Sequence, residues 1–131
     1  NIQEMATAIV YELPITICIL NNGYLGNVRQ WQELFFDRRY ACTCMRYRKS
    51  CAADCNTPTK SCPPYTPDFV KLAQSYGAKG IRVTDENEVL TALETAKHKK
   101  TVPTVIEFLI DREVNVMPIV PAGNALCDML F

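Results

Sequence analysis

What this sequence has little of narrows its function first. It carries one histidine, one tryptophan and five glycines, and its 14 basic residues are balanced by 14 acidic ones, leaving no net charge over 131 positions. The basic residues are scattered rather than gathered into a stripe, so the electrostatic footprint of a nucleic-acid binder is missing. No apolar run approaches the ~20 residues that a bilayer-spanning helix needs, and no membrane partner is expected. No basic-then-apolar leader opens the chain, because Asn1, Gln3 and Glu4 are polar. It also lacks an initiating methionine and drops straight into helical periodicity, so it is expected to be cut from a longer chain. Catalytic acids and bases are scarce too. Asp68, Asp85, Glu88 and the lone His98 read as caps or solvated surface, and no catalytic residue is assigned.

Cysteine is the residue in surplus. Five of the seven crowd between Cys42 and Cys62. In a small secreted protein that count would suggest a disulfide scaffold, but the rest of the chain reads as an intracellular, cytoplasmic α/β domain. Cys18 and Cys127, in apolar surroundings, read as small core residues.

Taken in order, Ile2, Met5, Ala6, Ile9 and Leu13 fall at helical spacing, which predicts an amphipathic helix ending near Pro14. Ile15 to Leu20, charge-free and rich in β-branched side chains, predicts a strand buried on both faces. A polar turn follows at Asn21-Asn22-Gly23, and Val28, Trp31, Leu34 and Phe35 then repeat at helical steps. Ala41 to Thr66 shows neither period and reads as an irregular loop, longer than compact domains usually carry unless it is functional or held by ligands. Thr66 as N-cap and Pro67 at the first position predict a helix with Phe69, Leu72, Ala73 and Tyr76 on its apolar face and Gly77 at its end. Gly80 to Val83 is a short strand. Asp85 and Glu88 stand at capping-box spacing before a helix faced by Val89, Leu93 and Ala96, with Lys97, His98, Lys99 and Lys100 at its negative end. Thr104 to Ile110 is a mostly apolar strand, and a short helical pattern closes the tail at Ala125, Leu126 and Met129. Strands alternating with helices predict an α/β fold: a parallel sheet of about three strands, flanked by helices and incomplete as it stands.

The Asn-Asn-Gly turn lies where ligands bind in such sheets, just beyond a strand's carboxyl end. Asn22's carboxamide oxygen and an exposed carbonyl nearby are hard, uncharged donors that suit Mg²⁺. Amides of the Gly23–Gly26 turn could face phosphate oxygens. The same residues equally describe an ordinary strand-ending turn, since Asn-Gly is among the commonest turn pairs.

The segment NIQEMATAIVYELPITICILNNGYLGNVRQWQELFFDRRY resembles the cofactor domain of thiamine diphosphate enzymes, and specifically acetolactate synthase (acetohydroxyacid synthase) catalytic subunits. The likeness resumes at PDFVKLAQSYGAKGIRV and again at NVMPIVPAG. The chain as a whole, residues 1–131, thus looks like part of a C-terminal thiamine diphosphate-binding domain, a truncated form of that fold. The family's thiamine motif begins Gly-Asp-Gly and ends Asn-Asn. Asn21-Asn22 match its end, and its beginning would fall a few residues before Asn1.

The resemblance implies that the Asn22 side chain and the Tyr24 carbonyl ligate Mg²⁺, with an upstream aspartate as third ligand. It implies that Asn22, Gly23, Tyr24, Leu25, Gly26 and Asn27 bind the cofactor and that Trp31 lines the substrate entrance, core packing being the plainer role for a tryptophan at helical spacing. It implies an enzyme that decarboxylates pyruvate and adds the two-carbon unit to a second 2-keto acid in branched-chain amino-acid biosynthesis. The same resemblance brings FAD in another domain of the parent, a homo-oligomer (dimer or tetramer), a small regulatory subunit and an activating glutamate outside this chain. The fragment alone should be inactive. Another thiamine diphosphate decarboxylase or carboligase is the near alternative, although RQWQELFF and MPIVPAG favour the synthase.

Two features depart from the family. Asn27 stands where these synthases usually carry methionine, which makes the cofactor wall more polar and bears on the choice of acceptor. The Cys-rich stretch, about 42–66, looks like an insertion. Its Cys51, Cys55 and Cys62, with Cys42 and Cys44 just ahead, could supply four thiolates to zinc or an iron–sulfur cluster, although C-x₃-C-x₆-C matches no standard spacing. Unligated thiols and air-formed disulfides are the alternatives. A metal-binding or redox interaction module on an α/β scaffold is the reading from another class.

Overall fold

The computed structural model describes residues 1–52, 55, 61–65, 67–98 and 101–131. The chain divides into two compact units, Asn1–Asn22 with Tyr65–Ile110, and Gly23–Pro64 with Asp111–Phe131.

The first unit is the expected α/β element. Helix α1 (Glu4–Val10) leads to strand β1 (Thr16–Asn21); later come helix α3 (Phe69–Ser75), strand β2 (Lys79–Val83), helix α4 (Val89–Lys97) and strand β3 (Thr104–Leu109). The three strands form one parallel sheet in the order β1-β3-β2. In register, Cys18 and Ile81 both lie against Ile106, and Leu20 and Val83 both lie against Phe108. Side chains alternate between the faces, so each face has its own cluster. Val83, Ala92, Ala96 and Ile106 pack between α4 and the sheet, with Ile81, Val89 and Phe108 around them. On the other face Ala73, Ala78 and Val105 pack with Met5, Ile9, Ile17, Ile19 and Phe69 from α1, α3 and β1. Ile106, fully buried in the central strand, contributes on the order of 2–3 kcal/mol through burial alone.

The close approach of α3 to the sheet depends on Gly80. A Cβ there would stand 2.7 Å from the Val70 carbonyl oxygen and 3.0 Å from the Val70 Cα. Backbone atoms cannot swing aside as a flexible side chain can, so α3 would have to move. Gly80→Ala should therefore cost about 1–3 kcal/mol in urea unfolding, the usual range for overpacking. An unchanged midpoint would refute this packing.

Several boundaries differ from the sequence expectation. Strand β1 is not buried on both faces. Ile17 and Ile19 are half-buried under the α1 face, whereas Thr16, Cys18 and Leu20 are exposed and Leu20 is 68% accessible. The reason is topological: β1 is an edge strand, and the α4 cluster reaches only over β2 and β3. Cys18 is accordingly a surface residue rather than core, and Cys127, in the second unit, is exposed as well. The helix at 69 is capped by Asp68, whose side chain accepts from the Lys71 amide, and not by Thr66. Thr66, like Lys99 and Lys100, lies outside the described residues. Asp85 caps a 3₁₀ turn (Glu86–Glu88) by accepting from the Asn87 amide, and Glu88 reaches back to the Thr84 amide. Reciprocal capping thus survives with shifted partners. His98 closes α4 and is exposed, as expected.

The Asp68 cap has a pH signature. The Lys71 amide first, and then the Arg82 guanidinium at 2.8 Å, hold the Asp68 carboxyl below its ordinary value of 3.8. A depressed folded value means that the stabilisation is complete above the unfolded value and is lost as pH falls through the folded one. Asp68→Asn should therefore flatten the acid limb of a Tm-against-pH curve below about pH 4. An identical limb in the variant would show that Asp68 contributes nothing there.

In the second unit, helix α2 (Gly26–Phe35) is the main regular element, joined by a 3₁₀ turn at Leu126–Asp128. Short backbone ladders do the rest. Tyr24 bridges Cys44 and Ile119 bridges Leu130, both antiparallel.

Candidate cofactor-binding site

The Asn-Asn-Gly turn begins where β1 ends, at the carboxyl edge of the sheet. Asn21 is its last strand residue, paired in register with Leu109 and accepting the Ile110 amide at 3.1 Å. Its side chain is buried and donates through Nδ2 to Glu107 Oε1 at 2.6 Å. Glu107, only 1% exposed, also accepts from Arg82 Nε at 2.7 Å, and Arg82 Nη2 reaches Asp68 at 2.8 Å. The Glu107 bond, together with the charges of Glu107 and Asp68, pushes the Arg82 guanidinium above its ordinary value. This chain of four side chains lies wholly within the first unit. Asn22, half-buried, is the next residue and closes that unit.

Gly23, which opens the second unit, has φ +79°, a conformation that glycine adopts without the steric cost of a Cβ. The two backbone bonds beyond it, Met45 N–H to the Gly23 carbonyl and Leu25 N–H to the Thr43 carbonyl, both 2.9 Å, flank Tyr24 on either side. In that antiparallel pattern the amide and carbonyl of Tyr24 itself point away from the 43–45 segment. Burial, and then the neighbouring Cys44, push the Tyr24 phenol up, with Arg112 and Arg29 opposing. The hydroxyl therefore stays protonated at neutral pH. The Arg29 guanidinium, buried on α2, stacks 5.6 Å from the Tyr24 ring centre and 5.0 Å from that of Tyr40, while pairing with Glu33 at 3.0 Å. Stacking of this kind attracts the guanidinium to the ring faces.

Leu25 occupies the N-cap of α2 and gives no side-chain cap, and its own amide is engaged by Thr43. Of the turn amides considered for phosphate, Leu25's is therefore already committed. Gly26 and Asn27 form the first turn of α2, and Asn27 is exposed. Trp31 is 48% exposed. The helix is tied down by Gln30, which is buried and grips Val116 twice: Nε2 donates to its carbonyl at 2.8 Å and Oε1 accepts its amide at 3.0 Å.

The cysteine expectation is corrected. Among the described residues no three His, Cys, Asp or Glu side chains gather around one point, so Cys44, Cys51, Cys55 and Cys62 are not assembled as a ligand set. Local hydrogen bonding explains this: Cys44 is held opposite Tyr24, the Cys51 amide and thiol are both turned onto Arg48, and the Cys55 amide bonds Ala52. Cys44, Cys51 and Cys55 are thus each engaged locally.

The family model for the C-terminal TPP-binding domain of thiamine pyrophosphate enzymes matches residues 1–108. This chain belongs to that family. Among thiamine pyrophosphate enzymes it is similar to the acetolactate synthase large subunit of Corynebacterium glutamicum, 39% identical over 129 residues covering 98% of this chain and 18% of that protein. It is similar as well to the large subunits of Parasynechococcus marenigrum (35% identical; 99% of this chain, 18% of that one) and Haemophilus influenzae (33%; 100% and 20%). A solved structure, the thiamine diphosphate-dependent 4-hydroxybenzoylformate decarboxylase of Rhodococcus jostii RHA1, superposes with a TM-score of 0.57 at 26% identity, covering 86% of this chain and 18% of the other. The chain thus spans about one fifth of the length of the relatives it matches. Among the described residues no helix is long and apolar enough to cross a membrane.

The donors fit what this family binds. Asn22 offers a neutral carboxamide and Tyr24 a carbonyl turned off its ladder, both hard oxygens of the kind Mg²⁺ takes beside phosphate. Sequence reasoning singled out Asn22 and Tyr24 and overlooked Glu107 and Arg82, which tie down Asn21 at the end of β1, and Gln30, which ties α2 to Val116.

Proposed function

We propose that this chain is the Mg²⁺–diphosphate-holding part of an acetolactate synthase catalytic subunit, working in the cytoplasm. The observation that carries the reading is the position of the Asn-Asn-Gly turn at the carboxyl end of a parallel strand, in a chain similar to those large subunits along nearly its whole length. Asn22 Oδ1 and the Tyr24 carbonyl would hold Mg²⁺, completed by a carboxylate from elsewhere in the parent, by water and by the diphosphate. Gly23 supplies the turn between the two ligands. Leu25, Gly26 and Asn27 would line the cofactor, with Asn27 presenting a polar wall, and Trp31, accessible on α2, would border the way in for the 2-keto acids. Bound there, thiamine diphosphate supplies the nucleophilic carbon that activates a 2-keto acid, chemistry that belongs to the cofactor. This chain's own work is to neutralise and anchor the diphosphate and to fix its position.

In the parent, pyruvate and a second 2-keto acid would be the substrates. FAD in another domain, a homo-oligomeric assembly and a small regulatory subunit belong to the same proposal. The test is product analysis on the full-length protein. With Mg²⁺ and thiamine diphosphate, pyruvate should be consumed with release of CO₂ and formation of a coupled 2-hydroxy-3-keto acid. Free acetaldehyde as the main product would move the chain to the decarboxylases. Turnover independent of both Mg²⁺ and thiamine diphosphate would overturn the reading.

A further inference from the structure

We propose that Glu107 is a positioning residue: it grips the Asn21 carboxamide from the central strand and so sets where the next residue, Asn22, presents its oxygen. This rests on the reading of Asn22 as a Mg²⁺ ligand and adds a cause for its placement. Glu107 is the one acidic residue in a strand otherwise made of Thr104, Val105, Ile106, Phe108 and Leu109, and a buried carboxylate there is costly unless every oxygen is satisfied. It is satisfied twice over. Oε1 takes the Asn21 Nδ2 proton at 2.6 Å, and Oε2 takes that of Arg82 Nε at 2.7 Å.

A carboxylate only accepts, so Asn21 must turn its NH₂ toward it, and the amide orientation is fixed by chemistry. Asn21 is then pinned by its side chain to Glu107 and by its carbonyl to the Ile110 amide at 3.1 Å. No other residue of β1 has its side chain tied to the neighbouring strand in this way among the described contacts. The strand end cannot twist without breaking one of the two, which leaves Asn22 a single starting point for its turn. Arg82, anchored in turn by Asp68, keeps the Glu107 side chain from rotating. The arrangement parallels metal sites in which an outer partner orients an inner ligand.

The experiment is calorimetric titration of Mg²⁺ into the full-length protein at saturating thiamine diphosphate, with Tm recorded for each variant. Asn21→Leu removes the donor while leaving the Glu107–Arg82 pair whole, and should weaken Mg²⁺ about tenfold, the lower end of the loss when an outer partner is removed. Because a glutamine at 107 would have to choose between Asn21 and Arg82, its rescue is read without the cation. Glu107→Leu with Arg82→Met should bind Mg²⁺ about as poorly as Asn21→Leu. Glu107→Gln with Arg82→Met restores an acceptor for Asn21 and should return to within about threefold of the parent. A merely structural Glu107 would move Tm alike in both double variants and leave Mg²⁺ affinity indifferent to the acceptor. Affinity within twofold of the parent for Asn21→Leu, while Asn22→Ala loses Mg²⁺, overturns the positioning role alone. Unchanged affinity in Asn22→Ala overturns the underlying reading as well.

Discussion

Asn22→Ala in the full-length protein should raise the Mg²⁺ concentration needed for half-saturation with thiamine diphosphate by roughly 100-fold or more. Removing an outer partner of a metal ligand already costs about 10–100-fold, and this substitution removes the ligand itself. Mg²⁺ demands near-ideal octahedral geometry and gives up its water reluctantly, so a water standing in for the lost carboxamide restores the coordination number but not the anchorage. The fold should be spared. Asn22 lies after the last strand residue, and the ladder bonds of β1 belong to residues 16–21. The unliganded variant should therefore lose no more than the ordinary cost of a point substitution, about 1 kcal/mol, in urea unfolding. Calorimetric titration of Mg²⁺ at saturating thiamine diphosphate reads the loss. A shift below threefold would remove Asn22 from the ligand set.

The second large effect is on stability. Arg82→Met deletes the cation beside a carboxylate that is 1% exposed and leaves Glu107 with the Asn21 hydrogen bond alone. Breaking a buried pair from one side costs about 3–5 kcal/mol, whereas exchanging both partners for apolar side chains is often close to neutral. The arginine is 40% exposed, so water can approach the stranded carboxylate, and the expected loss is about 3 kcal/mol, the lower end of that range. Adding Glu107→Leu should recover most of it. Urea unfolding of the parent, the single variant and the double variant measures both numbers. A single variant within about 0.5 kcal/mol of the parent would place this pair among ordinary surface ion pairs.

The α/β class, the parallel sheet and the Asn-Asn-Gly turn were all legible because each rests on local chemistry. Helical spacing in Met5 and Ile9, β-branched runs in β1 and β3, and the Asn-Asn-Gly pattern announce themselves within a few residues. What was not legible depends on the partner across space. Cys18 and Leu20 read as buried because an apolar run looks the same at the centre of a sheet and at its edge; strand order, with β1 outermost, decides which it is. The four loop cysteines invited a metal because they are close in sequence, but the described residues form no ligand group, and turns at Arg48 and Ala52 and the bridge to Tyr24 engage Cys51, Cys55 and Cys44 separately. The helix cap went to Asp68, whose carboxylate accepts the Lys71 amide, because two capping residue types stood two positions apart and sequence alone does not choose between them. Glu107 did leave a signal, a carboxylate inside TVIEFLI. Its partners Asn21 and Arg82 sit 86 and 25 residues away, a distance that periodicity cannot bridge.

The double grip of Gln30 on Val116 has a consequence for which substitutions this protein can absorb. A primary amide facing a peptide group in this way does the work of a neighbouring strand, donating to the carbonyl and accepting from the N–H. It therefore addresses the main chain and ignores the side chain. Val116 is itself 71% exposed, so position 116 should accept almost any residue that keeps its N–H, proline alone excepted. Position 30 has no such latitude. Glutamate would set a carboxylate against the Val116 carbonyl, leucine would strand both backbone groups, and asparagine is one methylene too short to reach. A library covering both sites would come back permissive at one and nearly invariant at the other, although the two residues share the same pair of bonds.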